Sequence, residues 1–510
     1  MFKNTLTALL VLLCSHFAAG QSLPLTKNIN TVSAKMWRSP NKSGERILPL
    51  SVDNSTSIHF PPIFSQIGNS CAQASSIGYM FTYEMNALLD RDALTPENRF
   101  SYLYAWNLVN EGNNEGSWNY QGLEIATSNG IMTEADFPKQ RTYSEFKWAS
   151  GFDKYLRSLQ YKVEEFVRIE IKDTASLDIA KEYLYNKGVE GGKGGTLVFS
   201  SQTTGWVISN AYKGPSQSGY KAILKKLADE GGHAMSIVGY DDLIEFQRPD
   251  GKISKGAFIV VNSWGEDYWY HDKGRFYLPY WFFLSEHKST QLGNDLLGIL
   301  PKYEEYPEIV YKIALEYTSR NDLSFRCGIS NSCRNYTPEH DFKMQIFNRQ
   351  GGDFEMQGNN ASEYIELGLD FSRYSDRLDS TSEEVNWFLT VERTKNGDIL
   401  GEGKMRAFEV YDFRKDPINP TVYRHSKIDG QNIEKGSNVF YISSVEYPNT
   451  SYSSLEWLDE KGQPVDSPII FRTADSKYAK VRFGEYDKEN GTLNIQYIYS
   501  PSGDTNLERR

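Results

Sequence analysis

A cysteine at position 71, a histidine at 233 and an asparagine at 262 lie far apart in this 510-residue chain, each in an unusual local setting. Cys71 stands in Gln66-Ile67-Gly68-Asn69-Ser70-Cys71-Ala72. His233 follows two glycines in Gly231-Gly232-His233-Ala234-Met235, and Asn262 opens Asn262-Ser263-Trp264-Gly265. A thiol, an imidazole and an orienting amide are the parts of a nucleophilic site: the base takes the thiol proton, and the amide holds the base. A fold that uses them together has to carry these three segments to one place.

The sequence around each residue suggests how. After Cys71, the residues Ala74, Ile77, Phe81, Met85 and Leu88 recur at helical spacing, so Cys71 is predicted to start a buried helix. The partial positive charge of a helix N-terminus stabilises a thiolate, as does a neighbouring imidazolium. Residues 234–240 and 257–262 read as strands, so the helix packs against a sheet carrying His233 and Asn262. Between them Arg248-Pro249-Asp250-Gly251 marks a turn, and Asp241-Asp242 reads as a second, solvated one. The acids at 241, 242 and 250 lack the alternate spacing of a calcium loop, so no metal and no cofactor are assigned. Gly191-Gly192-Lys193-Gly194-Gly195 lacks the ending of a phosphate-binding loop and reads as a flexible turn before a strand at 196–200.

These motifs resemble the papain family of cysteine peptidases over residues 45–300. The resemblance implies a two-lobed α+β catalytic domain that hydrolyses peptide bonds. It makes Cys71 the nucleophile, His233 the proton carrier and Asn262 the group that orients His233, with Trp264 covering that bond. Gln66 and the Cys71 backbone N–H become the oxyanion donors. Gly116 and Ser117, in Asn113-Asn114-Glu115-Gly116-Ser117, correspond to the segment whose glycines admit the substrate backbone. A surface turn capping the helix predicted after Gly122 explains them equally well. Gln202 or Trp206 would border the cleft. The chain departs from the family pattern in three ways. Gln66 stands five residues before the cysteine instead of six, Ala72 replaces a tryptophan, and the nearby disulfide cysteines are missing.

Two other readings compete. One is an inactive scaffold of the same shape that captures peptide or glycan ligands, favoured by the short Gln66 loop and Ala72. The other is acyl transfer to an amine, for which an aspartate at position 262 would be expected.

Residues 1–20 read as a secretory leader: basic Lys3, an apolar run from Leu6 to Phe17, then Ala18-Ala19-Gly20. The apolar run is too short to cross a membrane, and no later segment is long and apolar enough. The protein is therefore expected to be secreted or periplasmic, with Cys14 lost. Residues 21–44 show no sustained helical periodicity, so no typical inhibitory propeptide is expected. The 55 basic and 66 acidic side chains give a net charge of −11, which excludes nucleic acid and anionic lipid as partners and leaves a peptide or protein substrate. Cys327 and Cys333 are expected to pair, leaving Cys71 free.

From residue 301 the texture changes. Short alternating runs at 310–317, 342–347, 364–369, 387–392, 405–411, 439–442, 468–472, 479–483 and 493–499 read as strands. Lys395-Asn396-Gly397-Asp398 reads as the turn of a hairpin joining 387–392 to 405–411. Residues 301–510 are thus expected to form a β-sandwich-like region of one or two domains, with His340 and His425 isolated on its surface.

Overall fold

Ten strands build the sheet that carries the site: β1 (Lys35–Met36), β2 (Ser51–Asp53), β3 (Tyr161–Glu170), β4 (Leu197–Thr204), β5 (Val207–Ala211), β6 (Lys221–Lys226), β7 (Glu230–Gln247), β8 (Ile253–Val261), β9 (Arg275–Pro279) and β10 (Asp295–Tyr303). Their order is β1-β3-β10-β4-β7-β8-β9-β6-β5, with β2 pairing β7 off this path. The β1–β3 and β6–β9 pairs are parallel. The computed structural model describes residues 34–40, 47–139, 147–211, 221–267, 272–284, 291–344, 352, 354–356, 364–378, 384–394 and 401–445, and the backbone of 469–472, 478–487 and 492–500. The expected leader (1–20), residues 21–33 and the expected turn at 395–398 lie outside the described residues.

Cys71 does begin a helix. Helix α1 runs through three consecutive segments, Cys71–Gln73, Ala74–Phe81 and Thr82–Leu89. Its middle segment is wound as a π-helix, with the Thr82 N–H reaching back to Ile77 O. Ala74, Ile77, Phe81 and Met85 are fully buried, as their spacing predicts, but Leu88 is 50% exposed. The wider turns explain the difference: they hold more residues per turn, so the 3.6-residue pattern slips by the helix end. Glu84 and Asn86 are buried there instead.

Four shorter α-helices follow before β4: α2 (Tyr102–Asn107), α3 (Asn119–Asn129), α4 (Phe152–Ser158) and α5 (Thr174–Asn186). Asp173 caps α5 through the Ser176 N–H at 2.8 Å, and the helix lays Leu177, Ala180, Tyr183 and Leu184 against Phe199, Met235 and Ile237 of the sheet. Helix α1 packs against β7 elsewhere. The Ser75 hydroxyl donates to Ala234 O at 2.8 Å, and the Ser236 hydroxyl donates to Ser75 O at 3.1 Å.

β7 is longer than the predicted strand. It runs through Asp241 and Asp242, with a register shift there. Asp241 is 1% exposed, and Asp242 accepts from Lys181 at 2.7 Å and from Tyr280 at 2.9 Å. The solvated turn expected at these two acids is corrected accordingly: each carboxylate has partners that let the strand continue. The turn at Arg248–Gly251 is present, with Gly251 at φ +81°.

Beyond β10 two antiparallel sheets follow, β14-β11-β16-β17 and β13-β12-β15-β18. Their strands are β11 (Ile309–Tyr317), β12 (Leu323–Ser330), β13 (His340–Lys343), β14 (Ile365–Asp370), β15 (Asn386–Arg393), β16 (Gly403–Asp412), β17 (Thr421–Arg424) and β18 (Gly436–Ser443). Alternate residues meet in one core: Ile309, Tyr311, Ile313 and Leu315 from β11; Leu323, Phe325, Cys327 and Ile329 from β12; Trp387, Leu389 and Val391 from β15. On β16 the inward set changes parity, from Met405 to Phe408 and Val410, because an extra residue enters opposite Ala314/Leu315.

Two expectations fail here. β15 and β16 do not pair with each other: β15 lies between β12 and β18, and β16 between β11 and β17. Both are inner strands of their sheets, so each buries more apolar surface than a hairpin at one edge would allow. Cys327 and Cys333 remain separate thiols. Cys327 points into the core, whereas Cys333 Sγ lies 3.5 Å from Val385 O and from Ser444 Oγ.

The two halves share this core, because it also contains Ile77, Leu123, Ala126 and Ile131 of the helical part. Asn129 Nδ2 donates to Gly368 O at 3.3 Å, and the Glu366 N–H donates to Ser150 Oγ at 3.0 Å. Buried Lys162 of β3 bridges Asp370 of β14 and Glu304, each at 2.7 Å. A three-stranded sheet, β19 (Ile469–Arg472), β20 (Tyr478–Asp487) and β21 (Thr492–Ser500), completes the described chain.

Candidate active site

Two strands and one helix start supply the site. β7 carries His233 and the end of β8 leads into Asn262, with Ser236 opposite Val261 in the register. His233 Nε2 lies 2.8 Å from Asn262 Oδ1. The Ser263 backbone N–H also donates to that atom, at 2.7 Å, so an oxygen belongs there. An amide oxygen only accepts, hence His233 carries its proton on Nε2 and leaves Nδ1 as the free acceptor. Trp264 stacks on the imidazole, with ring centroids 4.4 Å apart and planes 23° apart. Trp206 meets Trp264 edge-on, with ring centroids 6.0 Å apart, and is itself 5% exposed.

Cys71 starts α1, and its N-cap Ser70 gives the helix no side-chain cap because the hydroxyl donates to Ile67 O at 2.7 Å. The first amides of the helix are therefore left to serve the thiol or a ligand. Burial pushes the Cys71 thiol up from its ordinary value, while the backbone amides of Ala234, Ala72 and Cys71 itself pull it down. Ala234 adjoins His233, so the sulfur lies beside the histidine strand. Burial pulls His233 down to about 4, opposed by its bond to Asn262. Solvation alone thus favours a neutral thiol beside a neutral imidazole. The helix start and the amides act the other way, towards the thiolate.

Gln66 is held at three atoms. Its backbone N–H donates to Ser263 O at 2.7 Å, its Oε1 accepts from Ser263 Oγ at 2.6 Å, and its Nε2 donates to Gly68 O at 2.8 Å. An amide nitrogen has two hydrogens, so one remains for another acceptor.

Gly116 is half-buried and Ser117 is 7% exposed, on a stretch that packs against this loop. Ser117 Oγ accepts from Gln73 Nε2 at 3.0 Å, and Trp118 O accepts from the same nitrogen at 2.9 Å. Gln202 is 9% exposed, opposite Gly232 on the neighbouring strand.

Several fastening residues were not singled out from the sequence: Gln73, Ser75, Ser263 and the Asn69–Asn114 pair. Gln73 had one legible signal, a polar residue just inside an otherwise apolar helix. The others are small polar residues whose partners lie far along the chain, and no local pattern marks them.

No protein-family model matches this sequence, and no curated protein matches it. Solved structures with a similar course include xylellain, a cysteine protease from Xylella fastidiosa, 20% identical over 56% of this chain and 96% of that one, with a TM-score of 0.39. Another is procathepsin B S9 from Trypanosoma congolense, 14% identical over 59% of this chain and 99% of that one, TM-score 0.38. A third is digestive procathepsin L 3 of Tenebrio molitor, 14% identical over 57% and 78%, TM-score 0.35.

Proposed function

We propose that this chain is a papain-like cysteine peptidase. The observation that carries the reading is the His233–Asn262 hydrogen bond under Trp264, set beside a thiol that opens a helix. In this reading Cys71 Sγ attacks the carbonyl carbon of a peptide bond and its proton passes to His233 Nδ1. The carbonyl oxygen becomes an oxyanion held by the Cys71 N–H and the second Nε2 hydrogen of Gln66. The oxyanion collapses to a thioester, the C–N bond breaks, and His233 returns the proton to the leaving amine. Water then attacks the thioester with His233 as base, releasing the acid and restoring the thiol. Asn262 keeps the imidazole in the tautomer that these transfers need.

Gly116 and Ser117 border the substrate backbone in this reading, and the substrate is a peptide or protein outside the cytoplasm, as the leader implies. The catalytic unit has two lobes and ends with β10. The two facing sheets beyond it form a β-sandwich that supports α4 and β3.

Alkylation by a peptidyl epoxide, read by mass spectrometry, tests this. Cys71 should be labelled in preference to Cys327 and Cys333, and His233→Ala should slow the labelling on the order of 10³-fold. Well-folded protein in which Cys71 stays unlabelled would rule the reading out.

A further inference from the structure

The loop leading to Cys71 is tied to the loop before α3 at a single place. Gly68 has φ +56°, and a Cβ there would lie 2.1 Å from Asn114 Oδ1, so the asparagine amide fills the space a side chain would need. The Asn69 backbone N–H donates to that same Oδ1 at 2.9 Å, and Asn69 Nδ2 donates to Asn114 O at 2.6 Å. Cys71 is the only cysteine in residues 34–139, so this fastening is made of amides alone.

One peptide plane links the fastening to the proposed oxyanion donor. Gly68 C=O and Asn69 N–H belong to the same planar unit and point in opposite directions. The carbonyl accepts from Gln66 Nε2, and the N–H donates to Asn114 Oδ1. Asn114 therefore holds one side of the plane whose other side holds Gln66. Ser263 fixes the far end of the same side chain through Oε1. Without Asn114 Oδ1 the plane loses the bond that holds its N–H side, leaving the Asn69 side chain on the Asn114 backbone carbonyl as the remaining tie, and the Gln66 amide shifts with the plane.

We propose that Asn114 is a positioning residue that sets the Gln66 amide for the oxyanion through the Gly68–Asn69 peptide, an inference that rests on the peptidase reading above. The loop is one residue shorter than the family pattern. On this account the tie to Asn114 is what lets a short loop still present its glutamine.

Alkylation and acylation make different demands. Alkylation by iodoacetamide needs only the thiolate, whereas cleavage of a peptidyl aminocoumarin also needs the oxyanion donors. Asn114→Ala should lower kcat about tenfold to a hundredfold, while KM and the iodoacetamide rate of Cys71 change by less than about threefold. Asn114→Asp keeps an acceptor oxygen for Asn69 and should recover most of kcat. The inference is overturned alone if the wild type cleaves and Asn114→Ala matches it, or if cleavage and alkylation fall together as a collapsed loop would require. A folded wild type that neither alkylates nor cleaves overturns the peptidase reading and this inference with it.

Discussion

Both halves bury apolar clusters, but the immediate surroundings of Cys71 and the core between the two sheets beyond β10 are fastened differently. Around the site, small polar side chains reach across elements: Ser75 to β7, Gln73 to Ser117, Ser263 to Gln66 and Asn114 to Asn69. The two later sheets rely on alternating apolar residues such as Tyr311, Phe325 and Trp387, which fill one core. Apolar contacts are non-directional and fix a separation. Hydrogen bonds also fix an orientation, and a site that moves protons needs its groups oriented. The comparison teaches that the place where chemistry is proposed adds directional ties to a burial that both halves share.

Separating stability from rate is the way to break that comparison. The largest stability effect is expected at the junction of the halves. Lys162→Met strands the Asp370 carboxylate, which is 3% exposed, and should cost roughly 3–5 kcal/mol in a denaturant melt. Adding Asp370→Leu should return much of that loss, because an apolar pair replaces a stranded charge. Next comes the core of the sheets. Leu389 is fully buried, and Leu389→Ala should cost roughly 2–5 kcal/mol while the kcat of the folded fraction stays unchanged. A large fall in kcat for Leu389→Ala would make the β half part of the catalytic apparatus and end the contrast drawn above.

The smallest effect sharpens the contrast on the side of the site. His233 must be unprotonated to take the thiol proton, and burial holds it down to about 4. Labelling of Cys71 should therefore persist as pH falls and decline only near pH 4, well below the 6.5 of an ordinary imidazole. An acid limb near 6.5 would show that burial does not govern this residue. Stability follows the same sign. Below 6.5 the unfolded chain binds a proton that folded His233 refuses, so the folded state loses stability as pH falls from 6.5 through about 4.

Much of this was legible in the sequence, unevenly. Most strands after β10 could be read from their period, since Tyr311, Ile313, Leu315 and Tyr317 recur at every second position, but β12 and β17 were not among the expected runs. Their partners could not, because alternation says which residues face inward and is silent on which strand lies alongside. That is why β15 and β16 read as a hairpin and lie in different sheets. The helix at Cys71 was visible in its apolar spacing, and the π-wound segment that turns Leu88 outward was not. Cys71, His233 and Asn262 stood out because glycines and tryptophan around them make unusual words. Asn114 and Ser263 act through paired hydrogen bonds to distant segments, and such bonds leave no periodic trace.

The amide tie between Asn69 and Asn114 has a practical side. A nucleophilic thiol has to be kept from oxidation, and the usual safeguard is a reducing agent. That agent would also cut a sulfur–sulfur link placed beside the nucleophile. Here the link is two hydrogen bonds, at 2.9 and 2.6 Å, which reductant does not touch. The conditions that preserve Cys71 therefore leave its supporting loop intact.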